Sequence, residues 1–168
     1  MLQFFFRIAN NPLHLRYKIL IKMYRSGCPI TNVLDLIGDK WSLLIIRDLF
    51  MGRKTFKEFL NAPEGIASNI LTSRLQALCK SGFINFMYSP KNKKVKLYYL
   101  ENKGIDLYPI LFEMSMWSER NLSKTFHPLS TRWFLDNEGL LASEVIDSDK
   151  EAYHKLRDEL FEEVGKPF

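Results

Sequence analysis

The amino-acid sequence predicts a mainly α-helical protein with a small β-hairpin wing, arranged as a winged helix-turn-helix. Two observations support this fold class. Apolar residues recur at helical spacing from residue 29 to residue 80, and the last helix of this stretch has one apolar and one polar face. Directly after Gly82 the period changes to two, in two β-branched and aromatic stretches that flank a basic loop. Helices that lead at once into a hairpin with a charged tip are expected of a winged helix-turn-helix.

The first two helices are predicted from their ends and their apolar pattern. Pro29 opens residues 29–38 and Gly38 closes them, which is the usual asymmetry of helix ends. Residues 39–52 are apolar nearly all round. We therefore expect a helix in the centre of a small core there.

Two further helices follow. Thr55 and Glu58 have the spacing of a capping box at the start of a short helix. Residues 68–81 are predicted as a helix with Ser68 as its N-cap and Gly82 as its C-cap. The apolar residues expected to anchor this helix on the core are Ile70, Leu71, Leu75 and Leu78.

The second half of the predicted domain holds the hairpin and a long helix. Residues 83–89 and 95–100 are predicted as its two strands, joined by the turn-forming, strongly basic loop 90–94. Residues 101–122 then show helical spacing, with a kink or a new start expected near Pro109.

The remaining residues are predicted to be less regular. We expect residues 126–139 to form a linker or irregular segment, followed by an amphipathic helix from about residue 149 to residue 164. The predicted organisation is an N-terminal extension (1–25), a winged helix-turn-helix domain with a dimerisation helix (26–124) and an acidic C-terminal extension (125–168). Because Met23 stands just before the predicted domain, we also expect it to be the natural start.

Charge is distributed unevenly along the chain. The net charge is +5, but residues from 136 onward carry ten acids and four bases, a net charge of −6. The first 135 residues therefore carry 20 bases against nine acids, a net charge of +11. A basic body favours a polyanionic partner, although a generically basic domain accounts for the charge equally well.

Several classes of protein are excluded or disfavoured by composition. No apolar run approaches the roughly 18 to 20 residues of a membrane helix, and the N-terminal apolar patch lacks a secretory cleavage site. With only two cysteines, the default location is a reducing cytoplasm. The three histidines (His14, His127 and His154) lack metal-ligand spacing, and no phosphate-binding glycine loop is present. We expect no enzyme, no metal and no cofactor.

The polar face of helix 68–81 and the basic loop together suggest contact with double-stranded DNA. Short hydroxyl and amide side chains with arginine are suited to base edges and phosphates, and lysines to phosphates. The N-terminal end of the helix, near Ser68, is expected to enter the major groove. The predicted DNA-binding residues are Ser68, Asn69, Thr72, Ser73, Arg74, Gln76, Lys91, Lys93, Lys94 and Lys96.

Other interpretations of the same residues stay open. Asn69 is the preferred base contact, whereas Arg74 could instead pair with Asp48. The helix could also be a polar surface helix without a ligand, and the lysine loop a solvated hairpin tip. A winged-helix module for protein–protein interaction and an RNA-binding domain are further alternatives, of which the first would not need a basic wing.

At this point the sequence resembles the HxlR-type bacterial transcriptional regulators, relatives of the MarR winged-helix proteins. The resemblance rests on "CP" before the first helix, on "IGDKWSLLIIRDL", and on "GIASNILTSRLQAL" followed by "SGFI". It covers about residues 26–120. It implies a homodimer joined mainly by terminal helices, which binds a pseudo-palindromic operator.

Two expectations combine this resemblance with the residues. Surplus apolar residues on the helix after Glu101 predict a dimer interface, unless the C-terminal extension covers them within one chain; they are Tyr108, Leu111, Met114 and Trp117. Cys28, beside Pro29 at a helix start, is a candidate redox sensor, because the helix dipole favours a thiolate and some similar regulators sense oxidants there. An inert structural cysteine is the alternative, and the effector is unknown.

Overall fold

The computed structural model describes residues 25–165. The expected start at Met23 and nearly all of the predicted N-terminal extension therefore lie outside the described residues. The chain divides into two compact units, one ending at Asp39 and one beginning at Lys40.

In the first unit, helix α1 spans Pro29–Ile37. Pro29 occupies its first turn, Cys28 is the N-cap and Gly38 the C-cap, as the sequence predicts. A salt bridge of 2.8 Å joins Arg25 and Asp35.

The second unit begins with three helices. Their bounds are α2 Ser42–Phe50, α3 Phe56–Leu60 and α4 Ser68–Lys80. The predicted capping box at α3 is present, because Thr55 accepts the Glu58 amide at 3.3 Å and Glu58 accepts the Thr55 amide at 2.7 Å. Ile46 and Leu49 of α2 are fully buried, which agrees with the prediction of a central core helix.

Both caps of α4 lie one residue before the predicted ones, Ser68 and Gly82. Its N-cap is Ala67, which has an extended backbone, and Ser68 is the first helical residue, so the N-cap prediction was wrong by one position. The side chain of Ala67 therefore does not cap the helix with a hydrogen bond. Ser81 is the C-cap, and Gly82 follows it with a φ of +71°, a left-handed conformation that glycine adopts without steric cost.

The predicted hairpin is confirmed. Strands β1 (Ile84–Tyr88) and β2 (Lys96–Leu100) pair antiparallel, with Ile84 opposite Leu100 and Tyr88 opposite Lys96. The loop between them forms the wing of the mainly helical fold.

After the hairpin the chain forms a short helix α5 (Asn102–Ile105) and a longer helix α6 (Tyr108–Asn121). Pro109 lies in the first turn of α6, so the expected new start near this proline is confirmed. Between the two helices, Leu107 is buried in the core.

The prediction of an irregular segment at residues 126–139 was wrong, because Pro128–Asp136 form helix α7. His127 caps this helix by accepting the Leu129 amide at 3.2 Å. Trp133 packs edge-on against Phe112 of α6, with ring centroids 5.8 Å apart. This contact between residues distant in the chain stabilises α7.

The last helix, α8, spans Ala142–Val164 and begins seven residues before the predicted residue 149. Glu144 accepts the Leu141 amide at 3.1 Å and so satisfies one free donor at the helix start. The C-terminal half of α8 covers the hairpin, where Leu160 joins Met87, Leu97 and Tyr99 in one apolar cluster. No helix within residues 25–165 is both long enough and apolar enough to cross a membrane.

Candidate nucleic-acid interface

Helix α4 has a buried apolar face and an exposed polar face. Leu71, Leu75 and Leu78 are at most 2% exposed and anchor it in the core, whereas Ile70, expected among the anchors, is 38% exposed. Helix spacing places the polar residues on the opposite side. Those exposed to solvent are Ser68, Asn69, Thr72, Ser73 and Gln76, while Arg74 is half-buried. The polar row is therefore held on a rigid element.

Local hydrogen bonds already engage part of this polar row. The Thr72 hydroxyl donates to the Ser68 carbonyl at 2.8 Å, and the Arg74 guanidinium lies 3.5 Å from the Ser73 hydroxyl. Asp48, the alternative partner considered for Arg74, accepts hydrogen bonds from Arg47 and Arg53, both at 2.7 Å.

The basic loop of the wing is ordered by its own turn. The Val95 amide donates to the Asn92 carbonyl at 2.8 Å, and the Lys94 amide donates to the Asn92 side chain at 3.0 Å. The lysines Lys91, Lys93 and Lys94 are exposed around this turn. The ordered backbone fixes the positions from which these exposed lysine side chains extend into solvent.

Two of the four wing lysines have close neighbours within the chain. The Lys96 ammonium lies 3.8 Å from the centroid of the Phe86 ring, on a strand rather than at the tip. Lys91 lies 4.0 Å from Glu163 at the end of α8, and both side chains are largely exposed. An exposed pair at this distance contributes little energy, so it does not prevent Lys91 from contacting a phosphate.

Sequence reasoning missed one basic residue next to these elements. Lys103 donates to the Ser81 carbonyl at 2.8 Å, at the C-terminus of α4, and its ammonium lies 4.3 Å from the Phe83 ring centroid. A cation there also offsets the negative end of the helix dipole. The signal in the sequence was a lysine three residues after the second predicted strand.

The two cysteines differ in environment. Cys28 caps α1, and the amide and hydroxyl groups of Thr31, with the Ile30 amide, lower the pKa of its thiol. Cys79 lies on α4, where burial raises the pKa of its thiol. At neutral pH, the thiolate is therefore more populated at Cys28 than at Cys79.

The four residues predicted at the dimer interface fall into two pairs. Tyr108 and Leu111 are half-buried, and the Tyr108 hydroxyl donates to Asp149 of α8. Met114 and Trp117 are 53% and 55% exposed. The C-terminal extension thus covers part of this face within one chain and leaves the other part open.

An additional polar cluster, not predicted from the sequence, lies between α6, α7 and α8. The hydroxyl of Tyr108 and the indole N–H of Trp133 both donate to the Asp149 carboxylate. Pro128 was a sequence signal for the start of α7, but no local pattern indicated the cluster itself. Within residues 25–165, no group of three or more histidine, cysteine or acidic side chains could hold a metal ion.

Comparison with known proteins places this geometry in a family. Residues 36–126 match the family model described as HxlR-like helix-turn-helix. The chain belongs to the HxlR family. This match includes α4 and the whole wing, whereas α7 and α8 lie beyond it.

HxlR-family relatives are HTH-type transcriptional regulators. The chain is 36% identical over 97 residues to the uncharacterized regulator sll1512 of Synechocystis sp., covering 55% of this chain and 72% of that protein. It is 30% identical over 99 residues to YodB of Bacillus subtilis, covering 58% and 88%.

Among solved structures, the redox regulator HypR in its oxidized form is similar, with a TM-score of 0.52 and 31% identity. That likeness covers 58% of this chain and all of HypR. PA1607 gives a TM-score of 0.54 and 36% identity, covering 62% of this chain and 70% of that one. The family match and these structural likenesses both identify α4 and the hairpin as parts of a winged helix-turn-helix.

Proposed function

We propose that this HxlR-family member is a transcriptional regulator that binds double-stranded DNA sequence-specifically, as a homodimer on a pseudo-palindromic operator. The observation that carries the proposal is the exposed row of hydroxyl and amide side chains on α4, fixed by three buried leucines. The adjacent lysine turn supplies the phosphate contacts that such a helix needs for its register. This function would take place in the cytoplasm.

In this proposal, α4 contacts the bases and the wing contacts the phosphates. Asn69, exposed in the first turn of α4, reads a base edge, since an asparagine amide can both donate to and accept from adenine. Lys93 and Lys94 neutralise phosphates. Base contacts give specificity, while phosphate contacts give affinity for any sequence.

Fluorescence anisotropy at several salt concentrations tests this division. Asn69→Ala should weaken binding to a selected genomic operator by about 1 to 3 kcal/mol and leave random DNA almost unaffected. Lys93→Ala should weaken binding to both DNAs. It should also make the salt dependence shallower, by roughly 0.9 in slope for each phosphate that the variant no longer neutralises.

Lys155→Ala is the matched control, because Lys155 is an exposed lysine on α8 that pairs with Glu151 at 3.3 Å. It removes the same charge from a position outside the lysine turn. If its salt slope falls as far as that of Lys93→Ala, or if the wild type shows a flat salt response, DNA contact by the wing is refuted. Protein–protein interaction would then be the better explanation of the winged helix.

For the homodimer, we propose that the open part of α6 around Met114 and Trp117 joins two subunits. Met114 and Trp117 lie three residues apart and so share one face of α6, and adjacent exposed apolar side chains favour association. Light scattering of the full chain should give a dimer, and Trp117→Glu should shift it toward the monomer. Leu135→Glu, at a 63% exposed leucine on α7, should have no such effect.

We also propose that Cys28 makes the regulator respond to oxidants. The lowered pKa of its thiol and the similarity to the redox regulator HypR support this role. With diamide as oxidant, two thiols lose two electrons and two protons, which convert the N=N bond of diamide to N–H groups as a disulfide forms. The partner thiol is a cysteine of a second subunit, either Cys28 or Cys79.

Operator binding before and after diamide tests the sensor. Wild type should change affinity and form a covalent dimer on a non-reducing gel, whereas Cys28→Ser should do neither. A response that persists in Cys28→Ser, or none in wild type, would assign Cys28 an inert structural role at the start of α1.

A further inference from the structure

A large cavity lies in the second unit, between α2, α6, α7 and α8. Its volume is about 850 Å³, within the range of sites that bind drug-sized molecules. Aromatic and aliphatic side chains line most of it. Those that the argument uses are Phe50, Leu129, Trp133 and Leu156.

One carboxylate, Asp149, faces this apolar cavity in a defined orientation. Its Oδ2 atom accepts both hydrogen bonds, from the Tyr108 hydroxyl and from the Trp133 indole N–H at 3.3 Å. Within the described part of the chain, Oδ1 accepts no hydrogen bond. Burial, and next the bond to Asp149, raise the pKa of Tyr108, so its hydroxyl keeps its proton and stays a donor. The free oxygen is therefore held in place beside the cavity.

The arginine that lines the cavity and the lysine that follows Asp149 in the chain both have other partners. Arg47 also lines the cavity, but its guanidinium is bound to Asp48 and Glu64, each at 2.7 Å. Lys150, the next residue along α8, forms a salt bridge of 2.8 Å with Asp106. A carboxylate without a basic partner, next to a largely apolar cavity, favours a ligand that brings its own positive charge.

We propose that this cavity binds a small organic cation, with an aromatic or aliphatic body and one protonated amine that donates to Oδ1 of Asp149. The apolar body packs against Phe50, Leu129 and Leu156. The site goes beyond DNA binding and does not depend on it. It also lies largely in α7 and α8, beyond the residues matched by the HxlR family model.

Isothermal titration calorimetry of the full chain at pH 7 tests the proposal with three naphthalene probes that differ in charge. The cation 1-naphthylmethylamine should bind saturably, one molecule per chain, at least about tenfold tighter than neutral 1-naphthalenemethanol. The anion 1-naphthylacetate should show no binding. Equal affinities for the cation and the neutral probe would overturn the role of Asp149, and no saturable binding of any probe would overturn the site.

Two variants locate the binding. Asp149→Asn should remove the preference for the cation, while Asp158→Asn, an exposed acid on the same helix, should preserve it. Ala152→Phe fills the cavity without changing any charge and should weaken the cation and the neutral probe alike. If either pocket variant binds the cation as wild type does, the assignment is wrong.

Light scattering and operator binding on the same samples separate this proposal from the others. If Ala152→Phe converts a dimer to a monomer while no probe binds wild type, a second copy of the chain occupies the cavity and the ligand site is refuted. Loss of operator binding with intact probe binding refutes the proposed DNA function and leaves the ligand site standing.

Discussion

We predict that removal of the buried carboxylate of Asp48 lowers the free energy of unfolding. Asp48 is 3% exposed, and its Oδ1 atom accepts hydrogen bonds from both Arg47 and Arg53 at 2.7 Å. Breaking a buried ion pair costs about 3 to 5 kcal/mol, because the remaining charge loses its compensation. Here the side chains of Arg47 and Arg53 are 33% and 30% exposed and can be hydrated, so we expect the lower end, about 3 kcal/mol.

Thermal unfolding of Asp48→Ala, followed by circular dichroism, measures this cost. For a chain of this length, 1 kcal/mol shifts Tm by about 2 to 4 °C, so the expected decrease is about 6 to 12 °C. Arg132→Ala is the control, because Arg132 and Asp136 form a pair that is 75% and 52% exposed, and Tm should not change measurably. If Asp48→Ala and Arg132→Ala unfold at the same temperature, the ion pairs of Asp48 do not stabilise the domain to the expected extent.

Three further variants test single contacts by the same measurement. Gly104→Ala should lower Tm, because a Cβ atom there would overlap the Phe83 carbonyl; an unchanged Tm would contradict that close approach. Tyr153→Phe leaves the Leu100 amide without its acceptor at 2.8 Å and should cost about 1 to 3 kcal/mol. Burial raises the pKa of the Tyr153 hydroxyl to about 12. Its contribution to the free energy of unfolding is therefore fully present below about pH 10 and is lost as the pH rises toward 12. Tyr153→Phe should not show this loss. Thr55→Ala should cost about 1 kcal/mol because the N-cap hydroxyl is removed, and an unchanged Tm would show that the capping box is dispensable.

The sequence by itself determined the elements that depend on neighbours a few residues away. The capping box of Thr55 and Glu58 is a contact across three residues, and the buried row of Leu71, Leu75 and Leu78 follows from the helical repeat. The change to a period of two after Gly82 predicted the hairpin in the same way. These features repeat at fixed spacing, so they are visible without any knowledge of the fold. The exposed polar row and the lysine turn follow from the same local rules, which is why the candidate DNA surface was predictable.

Only the tertiary structure decided how the C-terminal extension is organised. Trp133 packs on Phe112, and Asp149 accepts a hydrogen bond from Tyr108, 41 residues earlier in the chain. Helix α7 is therefore stabilised by aromatic contacts with residues that are distant in the chain. The cavity and the burial of Tyr108 arise for the same reason. They depend on how helices distant in the chain pack against one another, and the residue spacing within one segment does not determine its distance from another segment.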